Sequence, residues 1–172
     1  MISPFEMPGS SRVVPPAPLL VGQRPPAGGS PRAPLFPSPP NCAGWRLWEL
    51  TGLPYRLDYL RSFWRINVIE EPGAGFLKRD VSGERLDFLR GLLVDERVSG
   101  VVFCGSAVAE VCGYHATMYL PFSGYEKGRP FAGVVIPHPS GRNRRYNDQA
   151  QRDRAREVLT AVLRGSTCSP SA

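Results

Sequence analysis

The chain has four cysteines, and no two of them stand at C-x-x-C spacing. Zinc and iron–sulfur sites want ligands closer together, so no metal site is expected. Cys104 lies in an apolar run and Cys112 near the end of a short helix, which reads as small buried hydrophobes. No apolar run approaches the ~20 residues of a membrane span, so no membrane partner is expected. The N-terminus lacks a basic segment followed by an apolar one, and the cytoplasm is therefore the expected location. Negative charge is in deficit: 21 Lys and Arg face 15 Asp and Glu, a net charge of +6. That balance is compatible with an acidic partner but does not demand one.

What is present is enough for one domain. A chain of 172 residues can bury one sizeable core. Twelve of its 19 prolines fall in the first 40 residues. Residues 1–17 are expected to form a disordered tail, because Pro/Gly/Ser-rich sequence cannot offset its ordering entropy. The domain is expected over residues 18–165, followed by a short tail at 166–172. Leu19–Val21 reads as a short buried strand, followed by a long Pro/Gly loop over Ala27–Pro40. Asn41 is the expected cap of a helix over Ala43–Thr51, with Gly52 as its stop. Pro54 opens a second helix, and Ile66–Ile69 is a second strand. Ser82 caps a Leu-rich helix. Val101–Cys104 is a third strand, and Ser106–Val111 a short helix. Gly113–Phe131 reads as irregular, Gly133–Ile136 as the fourth strand, and Asn147 as the cap of the last helix. Strands apolar throughout are those of a parallel sheet covered on both faces. The expected fold is α/β: a three-layer α/β/α sandwich around a central parallel four-stranded sheet.

One segment concentrates chemistry. His138-Pro139-Ser140-Gly141-Arg142-Asn143-Arg144-Arg145 directly follows the fourth strand. It holds a histidine on a Pro/Gly turn at the carboxyl end of a strand, where open α/β sheets bind ligands. Three arginines beside it suit an anion, most simply a phosphate backbone.

With these landmarks in order, the chain from about Leu19 to Leu163 resembles the uracil-DNA glycosylase superfamily. Val21-Gly22-Gln23-Arg24-Pro25 looks like that family's first motif, G-Q-D-P or G-E-A-P-G. Leu35-Phe36 followed by Ala43-Gly44-Trp45-Arg46-Leu47 looks like its aromatic loop and first helix. Asn67, on the second strand, is similar to the base-reading asparagine, and His138-Pro139-Ser140 to the second motif. The resemblance implies an enzyme that flips a uracil or modified pyrimidine out of DNA and hydrolyses its N-glycosidic bond. Phe36 would stack on the base, and Asn67 would pair with N3 and O4. His138 would stabilise the charge that grows on the leaving base. Gln23 would sit where the reaction's water is held. Ser140, Gly141, Arg142, Arg144 and Arg145 would meet the DNA. No cofactor is implied, and a monomer is expected.

The sequence also departs from that pattern. Arg24 stands where the best-known members carry a water-positioning aspartate, and glutamine at 23 is a poor general base. Glu70 and Glu71 are the nearest substitutes, if they are not simply solvated loop charges. Arg142 falls in the region where the family places a wedge leucine; it either fills the vacated stack or binds phosphate. Rival readings are a non-catalytic binder of a flipped base and an enzyme that modifies bases in DNA. A nucleotide-binding α/β protein is less well served: Gly22–Gly29 is too proline-rich and too far from a helix for a phosphate loop.

Overall fold

The structure is a computed structural model that describes residues 13–76, 78–140 and 143–165. Five strands form one sheet: β1 (Ala17–Gly22), β2 (Trp64–Asn67), β3 (Val98–Cys104), β4 (Phe122–Glu126) and β5 (Arg129–Ile136). Among the described residues five helices accompany them: α1 (Ala43–Thr51), α2 (Arg56–Ser62), α3 (Gly83–Leu93), α4 (Ser106–Val111) and α5 (Gln149–Leu163). The strand order is β2-β1-β3-β5-β4. The first four strands of that order are parallel, and β4 pairs antiparallel with β5.

The sheet is therefore five-stranded and mixed, not four-stranded and parallel. The extra strand lies within the stretch read as irregular. It alternates, with Ser123 and Tyr125 exposed and Gly124 buried between them. A Lys127-Gly128 turn, φ +48° and +76°, folds it back onto β5. Two consecutive positive φ values are what a tight hairpin needs. Gly124 cannot carry a side chain, because the rings of Phe131 and Tyr114 already fill the space a Cβ would take.

Successive strand residues point to opposite faces, and both faces are covered. Leu19, Val21, Ile66, Val101, Phe103 and Val135 pack with α3 and α4. Leu20, Val102, Cys104, Val134 and Ile136 pack with α1, α2 and α5. This double burial is why the parallel strands read as unbroken apolar runs. It also fixes Cys104 and Cys112 as core residues, whose thiols burial pushes up to about 12.

Two helix caps differ from expectation by one residue. Asn41 adopts φ +67°, and the Cys42 thiol instead accepts the Trp45 N–H at 3.3 Å. Asn147 closes a 3-10 turn over Arg144–Asn147, and Asp148 caps α5 through the Ala150 N–H at 2.8 Å. Val13 and Ala17 are buried, so the packed domain begins upstream of residue 18. Among the described residues no helix is long and apolar enough to cross a membrane.

Candidate functional site

The four parallel strands bring Gly22, Asn67, Cys104 and Ile136 to one edge of the sheet, at their carboxyl ends. Asn67 ends β2, and His138 follows β5 by two residues. With β1 and β3 between them, these strands lie three spacings apart, about 14 Å between backbones. Asn67 and His138 therefore meet only through something that spans the middle strands.

Both middle strands run into glycine at this edge. Asn67 Oδ1 lies where a Cβ on Gly22 would be, with Leu35 Cδ2 2.9 Å from the same point. A Cβ on Gly105 would lie 3.3 Å from His138 Cβ and 3.8 Å from Gln23 Nε2. Gly105 has φ +111°, a backbone that disfavours any other residue. Two side-chain-free positions thus let Asn67 lean in from one side and Gln23 and His138 gather at the other.

Asn67 is 4 % exposed, and its Oδ1 has no hydrogen-bond partner among the described residues. A buried acceptor left empty costs about 1–3 kcal/mol, a cost that a ligand donor would remove. His138 is half-buried, and burial pulls its imidazole from the ordinary 6.5 to about 4. Its Nδ1 accepts the Ser140 N–H at 3.2 Å. A neutral ring that accepts at Nδ1 carries its proton on Nε2, so the site presents a neutral N–H donor.

The histidine loop is anchored on three sides. Asn143 Nδ2 donates to the His138 carbonyl at 2.8 Å, and Tyr146 Oη to that of Pro137 at 2.6 Å. Arg46, on α1, donates to the Ser140 carbonyl at 3.2 Å. The same helix braces the aromatic loop, because Gly44 packs directly on the carbonyls of Leu35 and Phe36. Tyr59 Oη donates to the Leu35 carbonyl at 3.0 Å, and Cys42 Sγ to that of Phe36 at 3.3 Å. Leu35 is held at φ +51°, a strained value for a branched residue.

Leu35 contacts the Gly22–Asn67 end of the site. Phe36 is 40 % exposed at the tip of the braced loop. Arg24 bends toward the loop after β2, with Nη1 3.0 Å from the Cβ position of Gly73 and 3.9 Å from Asp80 Oδ2. Glu70 is paired with Arg85 at 2.8 Å, and Glu71 is exposed. Neither the first motif nor Glu70 supplies an unpaired carboxylate.

Of the arginine loop, Gly141 and Arg142 lie outside the described residues. Arg144 and Arg145 are exposed, and Arg145 Nη1 rests 3.0 Å from Met118 Sδ. Arg154 stacks 5.7 Å from the Tyr119 ring centre, so the loop 114–121 borders the same basic surface. Sequence reasoning missed Leu35, Arg46, Tyr59, Arg85 and Tyr146 as site supports. All act through contacts distant in sequence, which no local pattern announces. Among the described residues no three His, Cys, Asp or Glu side chains are grouped to hold a metal ion.

Comparison with protein-family models finds no match, and comparison with curated proteins finds none either.

Proposed function

We propose that this chain is a DNA-base-excision enzyme of the glycosylase type, acting on uracil or a modified pyrimidine flipped from the helix. One observation carries the reading. An empty buried amide acceptor lies over Gly22 and a neutral imidazole donor beside Gly105, at the carboxyl ends of neighbouring strands. A planar pyrimidine offers an N–H and carbonyl oxygens on its edge and so complements both. Asn67 accepts from N3–H and donates to O4. His138 donates Nε2–H to O2.

As the N-glycosidic bond breaks, its electron pair leaves with the base. The resulting charge is delocalised onto O2, where a preorganised donor is worth most. Neutrality of His138 suits this role, since the ring needs no proton from solvent to be a donor. Water then adds to the sugar cation at C1′ and loses its proton to solvent, leaving an abasic site. Gln23, adjacent to His138 at Gly105, is suited to orient that water but not to deprotonate it. Arg144 and Arg145 contribute phosphate contacts beside the flipped nucleotide.

A second reading is supported by Arg24 and Glu70. With a guanidinium at the usual carboxylate position and Glu70 paired to Arg85, the same pocket serves a non-catalytic binder of a flipped base. Incubating purified protein with oligonucleotides that differ in one base, then cleaving with alkali, separates the two. Strand breaks confined to one base support excision. Selective retention of that oligonucleotide without breaks supports the binder. Neither breaks nor selectivity with any base would remove both.

A further inference from the structure

Arg85 stands where helix electrostatics disfavours a cation. It lies in the first turn of α3, three residues after the Ser82 cap, whose hydroxyl accepts its backbone N–H at 3.1 Å. The helix dipole there favours anions. The side chain is nevertheless largely buried, 17 % exposed, and stacks 5.3 Å from the Phe88 ring centre.

Its guanidinium reaches back 15 to 18 residues in sequence. Nη2 donates to the Asn67 carbonyl at 2.6 Å, and Nε to the Val68 carbonyl at 3.3 Å. Nη1 donates to Glu70 Oε1 at 2.8 Å. One planar fork thus grips three of the four residues from 67 to 70. From the other side β1 holds the same segment, with the Val68 N–H donating to the Gly22 carbonyl at 2.9 Å. The backbone of Asn67 is held between β1 and α3, and its side-chain Oδ1 lies over Gly22.

We propose that Arg85 is a positioning residue that fixes the reach of Asn67 into the site, with Glu70 as its counter-ion and not as an activator of water. This rests on the base-reading role given to Asn67 above. Lysine cannot replace the fork, because an ammonium is a point charge without its fixed geometry.

The test is a double-mutant cycle on Arg85→Gln and Asn67→Ala, with Arg85→Lys as a charge-preserving control. Affinity is measured for one oligonucleotide carrying deoxyuridine and for the same strand carrying deoxycytidine. Arg85→Gln is expected to reduce discrimination between the two by about tenfold, as loss of charged hydrogen bonds does. Arg85→Lys should retain thermal stability and still lose discrimination. The double variant should discriminate no worse than Asn67→Ala alone, because coupled residues are non-additive.

A second readout does not depend on nucleic acid. The Asn67 side-chain NH2 signals in a 15N–1H spectrum, assigned by their loss in Asn67→Asp, should shift in Arg85→Gln and Arg85→Lys. Unmoved Asn67 signals, or additive losses in the cycle, would overturn the clamp. If Asn67→Ala itself leaves discrimination intact, the base-reading role falls, and the spectrum still decides whether Arg85 holds Asn67.

Discussion

The backbone N–H of Ser140 points at Nδ1 of His138, 3.2 Å away, so the turn after β5 chooses the tautomer of its own histidine. The protonated nitrogen is then Nε2, the one not used by the loop. Arg46 holds the carbonyl of the same serine, which ties that choice to α1 and, through Gly44, to the loop that presents Phe36.

His138 should titrate far below an ordinary histidine. Burial lowers its folded value to about 4, against 6.5 when exposed. Below 6.5 the unfolded chain takes up a proton that the folded chain refuses. Stability is therefore full above 6.5 and declines as pH falls toward 4. Thermal midpoints measured across that window should drop in the wild type, and His138→Gln should flatten the drop. A signal assigned to the His138 imidazole, by its loss in His138→Gln, that titrates near 6.5 by NMR would contradict the burial.

Gly22→Ala should damage the site while sparing the fold. A Cβ there would meet Asn67 Oδ1 and Leu35. Overpacking of this kind typically costs about 1–3 kcal/mol, measurable by denaturant unfolding. Base-selective affinity should fall by about tenfold or more, since Asn67 must leave its place. Unchanged selectivity would mean that Asn67 does not read a ligand from over Gly22.

Asn67→Asp keeps the shape and replaces an amide donor with a carboxylate acceptor. Preference should move from a uracil-like O4 toward cytosine, whose N4 is a donor. Competition binding with the two bases in one sequence context measures this. Indifference of both proteins to the exocyclic group would remove Asn67 as the reader.

Replacing Arg144 and Arg145 together with alanine should weaken binding of all sequences alike. Each phosphate contact adds roughly 0.7 to 0.9 to the slope of log affinity on log salt. The double variant should flatten that slope by about one to two units. An unchanged slope would leave these exposed arginines as solvated surface.

The parallel strands were legible because each is buried on both faces and reads as a short apolar run. β4 was not, although Lys127-Gly128 is a recognisable hairpin turn. Its pattern is broken by Gly124, a glycine that exists to admit the rings of Phe131 and Tyr114. His138 and Asn67 could be picked out because motif and strand end coincide. Their placement beside Gly22 and Gly105 could not, because it depends on those glycines lying at the ends of neighbouring strands. Arg85 was invisible for the same reason: in sequence it is one more charge in a polar first turn.

The most direct measurement is single-turnover cleavage of an oligonucleotide carrying the excised base, in wild type and His138→Ala, followed by quantification of abasic sites. Loss of one oxyanion donor typically costs about 10²-fold or more in the chemical step. The rate constant should fall by at least that factor while affinity for abasic product changes little. Equal single-turnover rates in the two proteins would contradict the role of His138.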